Sequence, residues 1–253
     1  MNRMVVIALV LLIMVVLSMF AAGFMANSQE ARDVDIDAAE EAARTAGAMA
    51  SLSPSEALPT PSPVIDRTDW RLRLVNAENP LPADFTVETA NVEGYLFDAR
   101  AAGDLQAMLY AGREAGVDIL LTSAYRTYDY QDGLFQNKVQ RVMAEQGISQ
   151  EQAEPIAATV VARPGTSEHC LGLAVDIICS DYTVLDEGFA QTEAAQWLYE
   201  HCAEYGFVLR YPADKTEITQ IIYEPWHFRY VGVEAAEYMM ENGLTLEEYL
   251  GEA

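Results

Sequence analysis

The chain has 253 residues, 51% of them apolar, and carries 39 acidic against 15 basic side chains for a formal net charge of −24. That length suits one sizeable domain with extensions. With Lys138 and Lys215 as its only lysines and no Lys/Arg cluster, the composition excludes nucleic acid as a partner and disfavours an anionic membrane surface.

Residues 1–26 read as a membrane anchor or signal sequence. The stretch 4–25 is an almost unbroken apolar run long enough to span a bilayer. Small-residue sites at Ala21-Ala22-Gly23 and Ala26-Asn27-Ser28 leave cleavage open, which would secrete the chain. Arg3 on the short leading side, with acids following, keeps the N-terminus inside and puts the bulk of the chain outside. Residues 27–66 then form an acidic, Pro/Ser-rich extracellular stalk, in which Pro54, Pro59, Pro61 and Pro63 make an extended spacer.

A folded domain is expected over residues 67–253. Residues 72–75 form a short strand candidate. Residues 104–115 have helical spacing, although Gly112 weakens the helix. Residues 117–122 form a strand leading to Ser123 and Arg126. A second helix is predicted over 128–145 and ends at Gly147. Residues 173–179 are β-branched and strand-like. A helix over 193–205 stops at Gly206, and strands follow over 207–211, 217–223 and 226–231. Residues 234–242 and 246–250 close the chain as helices. Helices first and antiparallel-type strands late predict an α+β class: a small central antiparallel sheet flanked by helices, with the N-terminal transmembrane segment outside it.

The chain has only three histidines. His169 and His227 lie in Gly- and Pro-punctuated stretches with Asp176 and Glu224. Two imidazoles, a short carboxylate and a longer one are the inventory of a mononuclear catalytic zinc site, in which a bound water is acidified and a non-ligand carboxylate serves as base. The spacing does not itself establish shared ligation. Seven residues apart on a straight strand, His169 and Asp176 face opposite ways, so the chain must bend around Gly172. Glu224 is separated from His227 by Pro225, which disfavours a helical Glu224 and rules out the helical pair of an HExxH protease. Glu168 competes with Glu224 for the role of base, but it points away if His169 faces the metal. His201 sits in a helix among apolar neighbours and reads as structural. Cys170, Cys179 and Cys202 follow no CxxC spacing, so they specify neither a disulfide framework nor a Cys-rich zinc site; exported, they allow one bridge of undetermined pairing.

Four motifs then carry a resemblance. Ser123-Ala-Tyr-Arg126-Thr-Tyr-x-Tyr-Gln131, Pro164-Gly-Thr-Ser167-Glu-His169-x-x-Gly-Leu-Ala-Val-Asp176, Tyr205-Gly-Phe-x-Leu-Arg-Tyr211-Pro and Glu224-Pro-Trp-His227-Phe-Arg-Tyr resemble the VanY-type D-alanyl-D-alanine carboxypeptidases. These belong to a zinc peptidase group that includes VanX dipeptidases and phage L-alanoyl-D-glutamate endolysins. The resemblance covers roughly residues 70–245. It implies one Zn2+ per chain held by His169, Asp176 and His227, with Glu224 as general base. Arg126 would stabilise the oxyanion or hold the terminal carboxylate. Gln131, Ser167 and Tyr211 would position the D-Ala-D-Ala end, and Trp226 would wall the pocket. The substrates it implies are peptidoglycan stem peptides. A peptidoglycan endopeptidase, a D-Ala-D-Ala dipeptidase and a non-catalytic wall-binding module are the alternatives. Oligomeric state is not legible. Cys170 and Gln220 depart from residues common in the family.

Overall fold

The computed structural model describes residues 65–253. The segments assigned above to the anchor (1–26) and to nearly all of the stalk (27–66) lie outside the described residues. Within the described residues the class is α+β, as expected, and no helix is long and apolar enough to cross a membrane.

The central sheet is antiparallel, in the order β3 (Leu120–Ser123), β4 (Ala174–Ile178), β6 (His227–Tyr230), β5 (Phe207–Leu209). The β4–β6 register sets Val175 against Phe228 and Asp176 against His227. Alternation along each strand sends Val175 and Phe228 to one face and Asp176 and His227 to the other. The first face is the core. There Val175, Phe228 and Phe207 are fully buried with Leu105, Met108 and Leu109 of α1 (Ala102–Glu114). The second face carries the chemistry. On the far side of β4, an irregularity between Leu121 and Ser123 sets Ser123 opposite Asp176.

Gly112 proves to be a packing device rather than a weakness. A Cβ there would lie 2.1 Å from Ile119 Cδ1, so a larger residue would displace that buried side chain from its place between α1 and β3. Beyond the sheet, α2 (Tyr128–Gln146) is capped by Thr127, whose hydroxyl accepts from the Tyr130 amide, and it ends at Gly147. It packs against α3 (Gln150–Ala158) around Phe135, Val139, Val142, Ala153 and Ala157.

Several expectations are corrected. Residues 72–75 form no strand: Trp70–Leu72 is a 3-10 turn, capped by Asp69 accepting from the Arg71 amide. Val117 to Ile119 precede the strand rather than belong to it. Residues 217–223 are not a strand despite their β-branched content. The Thr219 and Gln220 amides instead donate back to Lys215 and Thr216 carbonyls, closing α6 (Thr216–Thr219). The expected helix over 193–205 divides into α5 (Glu193–His201) and a 3-10 turn over Cys202–Tyr205. Several elements besides α3 went unanticipated, among them a 3-10 turn over Glu187–Gln191. A hairpin joins β1 (Thr89–Val92) to β2 (Tyr95–Asp98) through Glu93-Gly94, both at positive φ as a tight two-residue turn requires. Residues Glu168–Leu171 form one helical turn, α4. The terminal helices α7 (Val233–Asn242) and α8 (Leu246–Leu250) match expectation.

Candidate metal centre

The site begins at α4. Its single turn ends at Gly172 with φ +83, a left-handed conformation that side chains resist. A Cβ at Gly172 would also press on Val87 Cγ1 at 3.2 Å. This reversal is the bend that His169 and Asp176 require: it brings His169 Nε2 to 3.2 Å from Asp176 Oδ2 on β4. The cross-strand register then supplies His227 beside Asp176. One ligand atom from each of His169, Asp176 and His227 falls within 4.8 Å of the others, and all three residues are buried.

Their hydrogen bonds prepare them for a cation. His169 Nδ1 lies 2.7 Å from the Ala124 carbonyl. A carbonyl only accepts, so Nδ1 carries the proton and Nε2 keeps its lone pair, 3.2 Å from Asp176 Oδ2. His227 is turned the other way. Its Nδ1 lies 3.1 Å from Asp176 Oδ1 and 3.6 Å from Glu224 Oε2, while Nε2 points back at Glu168 Oε2, 3.7 Å away. Those last two atoms are the buried side-chain polar atoms left without a hydrogen-bond partner among the described residues. Each imidazole thus faces a protein acceptor with one nitrogen and presents the other to Asp176, an orientation typical of metal-bound histidines. Two nitrogens and a carboxylate oxygen converging in this way fit Zn2+.

Electrostatics differ around the two rings. Burial, reinforced by Arg126, lowers the His169 pKa to about 4. Burial also acts to lower His227, but the carboxylates of Asp176 and Glu168 outweigh it and push that ring up to about 9. Asp176 is held well below the ordinary carboxylate range: burial opposes this, and His169 and Arg126 prevail. Glu224 is raised to about 8, by burial first, with His227 opposing.

Arg126 follows β3 and donates to Asp176 Oδ2 at 2.6 Å and to Ser123 Oγ at 2.9 Å. Gln131 props it: Gln131 Oε1 accepts from Arg126 at 3.3 Å while Nε2 donates to the Ala162 carbonyl. The Tyr211 ring sits 4.8 Å from that of His227. The structure brings all nine sequence-derived site residues together. Arg126, Gln131, Ser167, His169, Asp176, Tyr211, Glu224, Trp226 and His227 all line one groove of about 650 Å³. His201 is absent from that groove and binds Glu204 instead. Cys170, Cys179 and Cys202 are all free and buried, so no bridge is formed. The side chain of Cys170 packs in the main core. Gln220 adopts φ +59, a left-handed conformation that glycine takes more readily than glutamine.

What the sequence reading missed lies behind the site. Glu168 does point away from the groove, into a buried cluster. Its Oε1 accepts from Arg210 Nε and Arg229 Nη1, each at 2.8 Å, and Arg210 in turn donates two hydrogen bonds to Glu247. The signal available was periodicity: Arg229 shares the face of His227 on β6, and an arginine flanked by buried aromatics needs a buried acid.

The model of the family described as "VanY: D-alanyl-D-alanine carboxypeptidase" matches residues 95–233. A D-alanyl-D-alanine carboxypeptidase of Enterococcus faecalis is 45% identical over 188 residues, covering 73% of this chain and 67% of that protein. Two solved structures at 45% identity superpose on it. A mutant of the vancomycin resistance D,D-pentapeptidase VanY in complex with Zn(II) has a TM-score of 0.64 and covers 72% of this chain and 99% of that one. VanYB in complex with D-alanine-D-alanine has a TM-score of 0.65 and covers 72% and 98%.

Proposed function

The chain belongs to the VanY D-alanyl-D-alanine carboxypeptidase family and is a zinc-dependent D,D-carboxypeptidase, and from that premise we propose that it removes the terminal D-Ala from peptidoglycan stem pentapeptides with Glu224 as general base. The observation that carries the assignment of the base is placement. Glu224 lies in the groove 3.6 Å from the ligand nitrogen of His227, while Glu168, the competing carboxylate, is buried behind that ring on two arginines.

His169, Asp176 and His227 would hold the zinc, which when bound polarises the scissile carbonyl and acidifies water. Glu224 takes a proton from the attacking water and returns it to the departing D-Ala amine. Burial raises that carboxyl in the metal-free site, and the charge of a bound zinc would draw it back down, favouring the ionised form that a general base needs. Arg126, fixed by Ser123 and Gln131, stands beside the reacting centre as the donor for the developing oxyanion or the terminal carboxylate. Ser167 and Tyr211 position the D-Ala-D-Ala end, and Trp226 walls it. The sequence supports its placement outside the cell: residues 1–26 anchor it or, if cleaved, release it, and residues 27–66 space it.

The test is product identification on defined stems. Zinc-loaded protein should release one D-Ala from a pentapeptide and leave the tetrapeptide. A cut inside the stem would make it an endopeptidase, and cleavage of the tetrapeptide an L,D-carboxypeptidase. Glu224→Gln should lower kcat about 10²- to 10⁴-fold with zinc still bound; full activity in that variant would remove Glu224 from the role.

A further inference from the structure

In a chain so rich in acids, nearly every cation of the described residues is claimed by a carboxylate. Arg67, Arg71, Arg100, Arg113, Arg126, Arg163, Arg210, Lys215 and Arg229 all form ion pairs. Arg73, Lys138 and Arg141 do not. Arg73 covers the Phe85 ring. The other two stand on α2, and both line the groove that holds the metal centre. Like charges three apart on a helix repel weakly, by about 0.2–0.5 kcal/mol, and no carboxylate of the described residues offsets the Lys138/Arg141 couple.

Their position along the helix says which anion they suit. Gln131, Leu134, Lys138 and Arg141 are spaced three, four and three residues apart, so they share one face of α2, and all four line the groove. The face begins at Gln131, which holds Arg126 beside the metal ligands. At 1.5 Å per residue, Lys138 lies about 10 Å and Arg141 about 15 Å farther along the helix. An extended peptide advances about 3.3 Å per residue. A substrate whose C-terminal residue sits at the Gln131 end therefore brings the residue three positions upstream to Lys138. Asp186 and Glu187 line the same groove and pair with neither cation, so the groove holds the two signs apart and directs an anion to the α2 side.

We propose that Lys138 and Arg141 form an anion subsite for a carboxylate carried three residues upstream of the substrate's C-terminus. In a stem pentapeptide this is the free α-carboxylate of the γ-linked D-glutamyl second residue. The proposal rests on the reading of the enzyme as a carboxypeptidase of such stems. It makes the enzyme a reader of stem amidation: conversion of that carboxylate to a carboxamide removes the charge that the subsite binds.

Three synthetic substrates test this on the zinc-loaded enzyme: a pentapeptide with the free α-carboxylate, the same peptide with the carboxamide, and an N-acylated tripeptide ending in D-Ala-D-Ala that lacks the second residue. The free acid should show a KM about five- to tenfold below that of the amide at equal kcat. The gap should close in about 1 M salt, where screening acts within a few ångströms. The double variant Lys138→Gln, Arg141→Gln should erase the difference and leave the tripeptide kinetics unchanged. Equal KM values for acid and amide in the wild type would overturn the subsite, as would a preference that survives in the double variant. Loss of tripeptide turnover in that variant would overturn it too, by placing the two residues in folding or catalysis. Release of D-Ala from none of the three would instead overturn the carboxypeptidase reading. Calorimetric binding of the two pentapeptides to zinc-loaded Glu224→Gln protein then still decides whether the carboxylate is recognised.

Discussion

At the scale of single residues, the two histidines enter metal binding from opposite protonation states. His169, lowered to about 4, is already neutral at any pH where the enzyme works. His227, raised to about 9, keeps a proton that zinc must displace. Apparent zinc affinity should therefore rise about tenfold per pH unit through neutrality and level off above about pH 9. Chelator competition at a series of pH values reads this directly, and an affinity independent of pH between 6 and 8, roughly one unit either side of neutral, would contradict it. The same ring shows what residue-level reading of the sequence could reach. The scarcity of histidine singled out His169 and His227, and the fold brings both, buried, beside Asp176. Which nitrogen each presents was not legible, because it depends on Ala124 and Glu168 arriving from elsewhere in the fold.

At the scale of elements, a turn and an ion cluster hold the site in place. Gly172→Ala should cost about 1–2 kcal/mol for its left-handed backbone alone, with the contact at Val87 adding to it. Because the same turn aims His169, zinc affinity should fall in parallel with urea stability. The cluster joins α4 through Glu168, β6 through Arg229 and α8 through Glu247, with Arg210 between them. Arg210 and Arg229 hold the Glu168 carboxyl far below its ordinary range, against the opposing effect of burial. A carboxylate depressed in the folded state contributes stability above its unfolded pKa, near 4.3, and that stability is lost as the pH falls below it. Acid unfolding should therefore steepen below about pH 4. Glu168→Gln, which takes from buried Arg229 its one carboxylate and leaves Arg210 to Glu247, should cost about 3–5 kcal/mol at neutral pH and flatten that acid limb. Elements whose partners lie close in sequence were legible, as α1, α2, α7 and α8 were. The β1–β2 hairpin was not, because its turn uses Glu93 where asparagine or aspartate is usual, held by an ion pair to Arg113. Residues 217–223 misled for the complementary reason: their β-branched content suits a strand, but no neighbouring strand is there to pair with.

At the scale of the whole molecule, β4 and β6 pair directly and share a core with α4, and the candidate metal ligands add a further tie among the three. Zinc that binds the folded chain alone adds about 2.7 kcal/mol when present at a hundredfold excess over Kd. Chelation should accordingly lower Tm by about 5–10 °C in calorimetry, reversed by added zinc. The register that pairs Asp176 with His227 gives this coupling a further meaning. Slipping β6 by one residue along β4 would turn His227 into the core and set Phe228 beside Asp176. A misaligned sheet has no second imidazole to offer and cannot take the ion. Zinc thus acts as a proofreader of strand alignment, retained by correctly zipped molecules and refused by the rest.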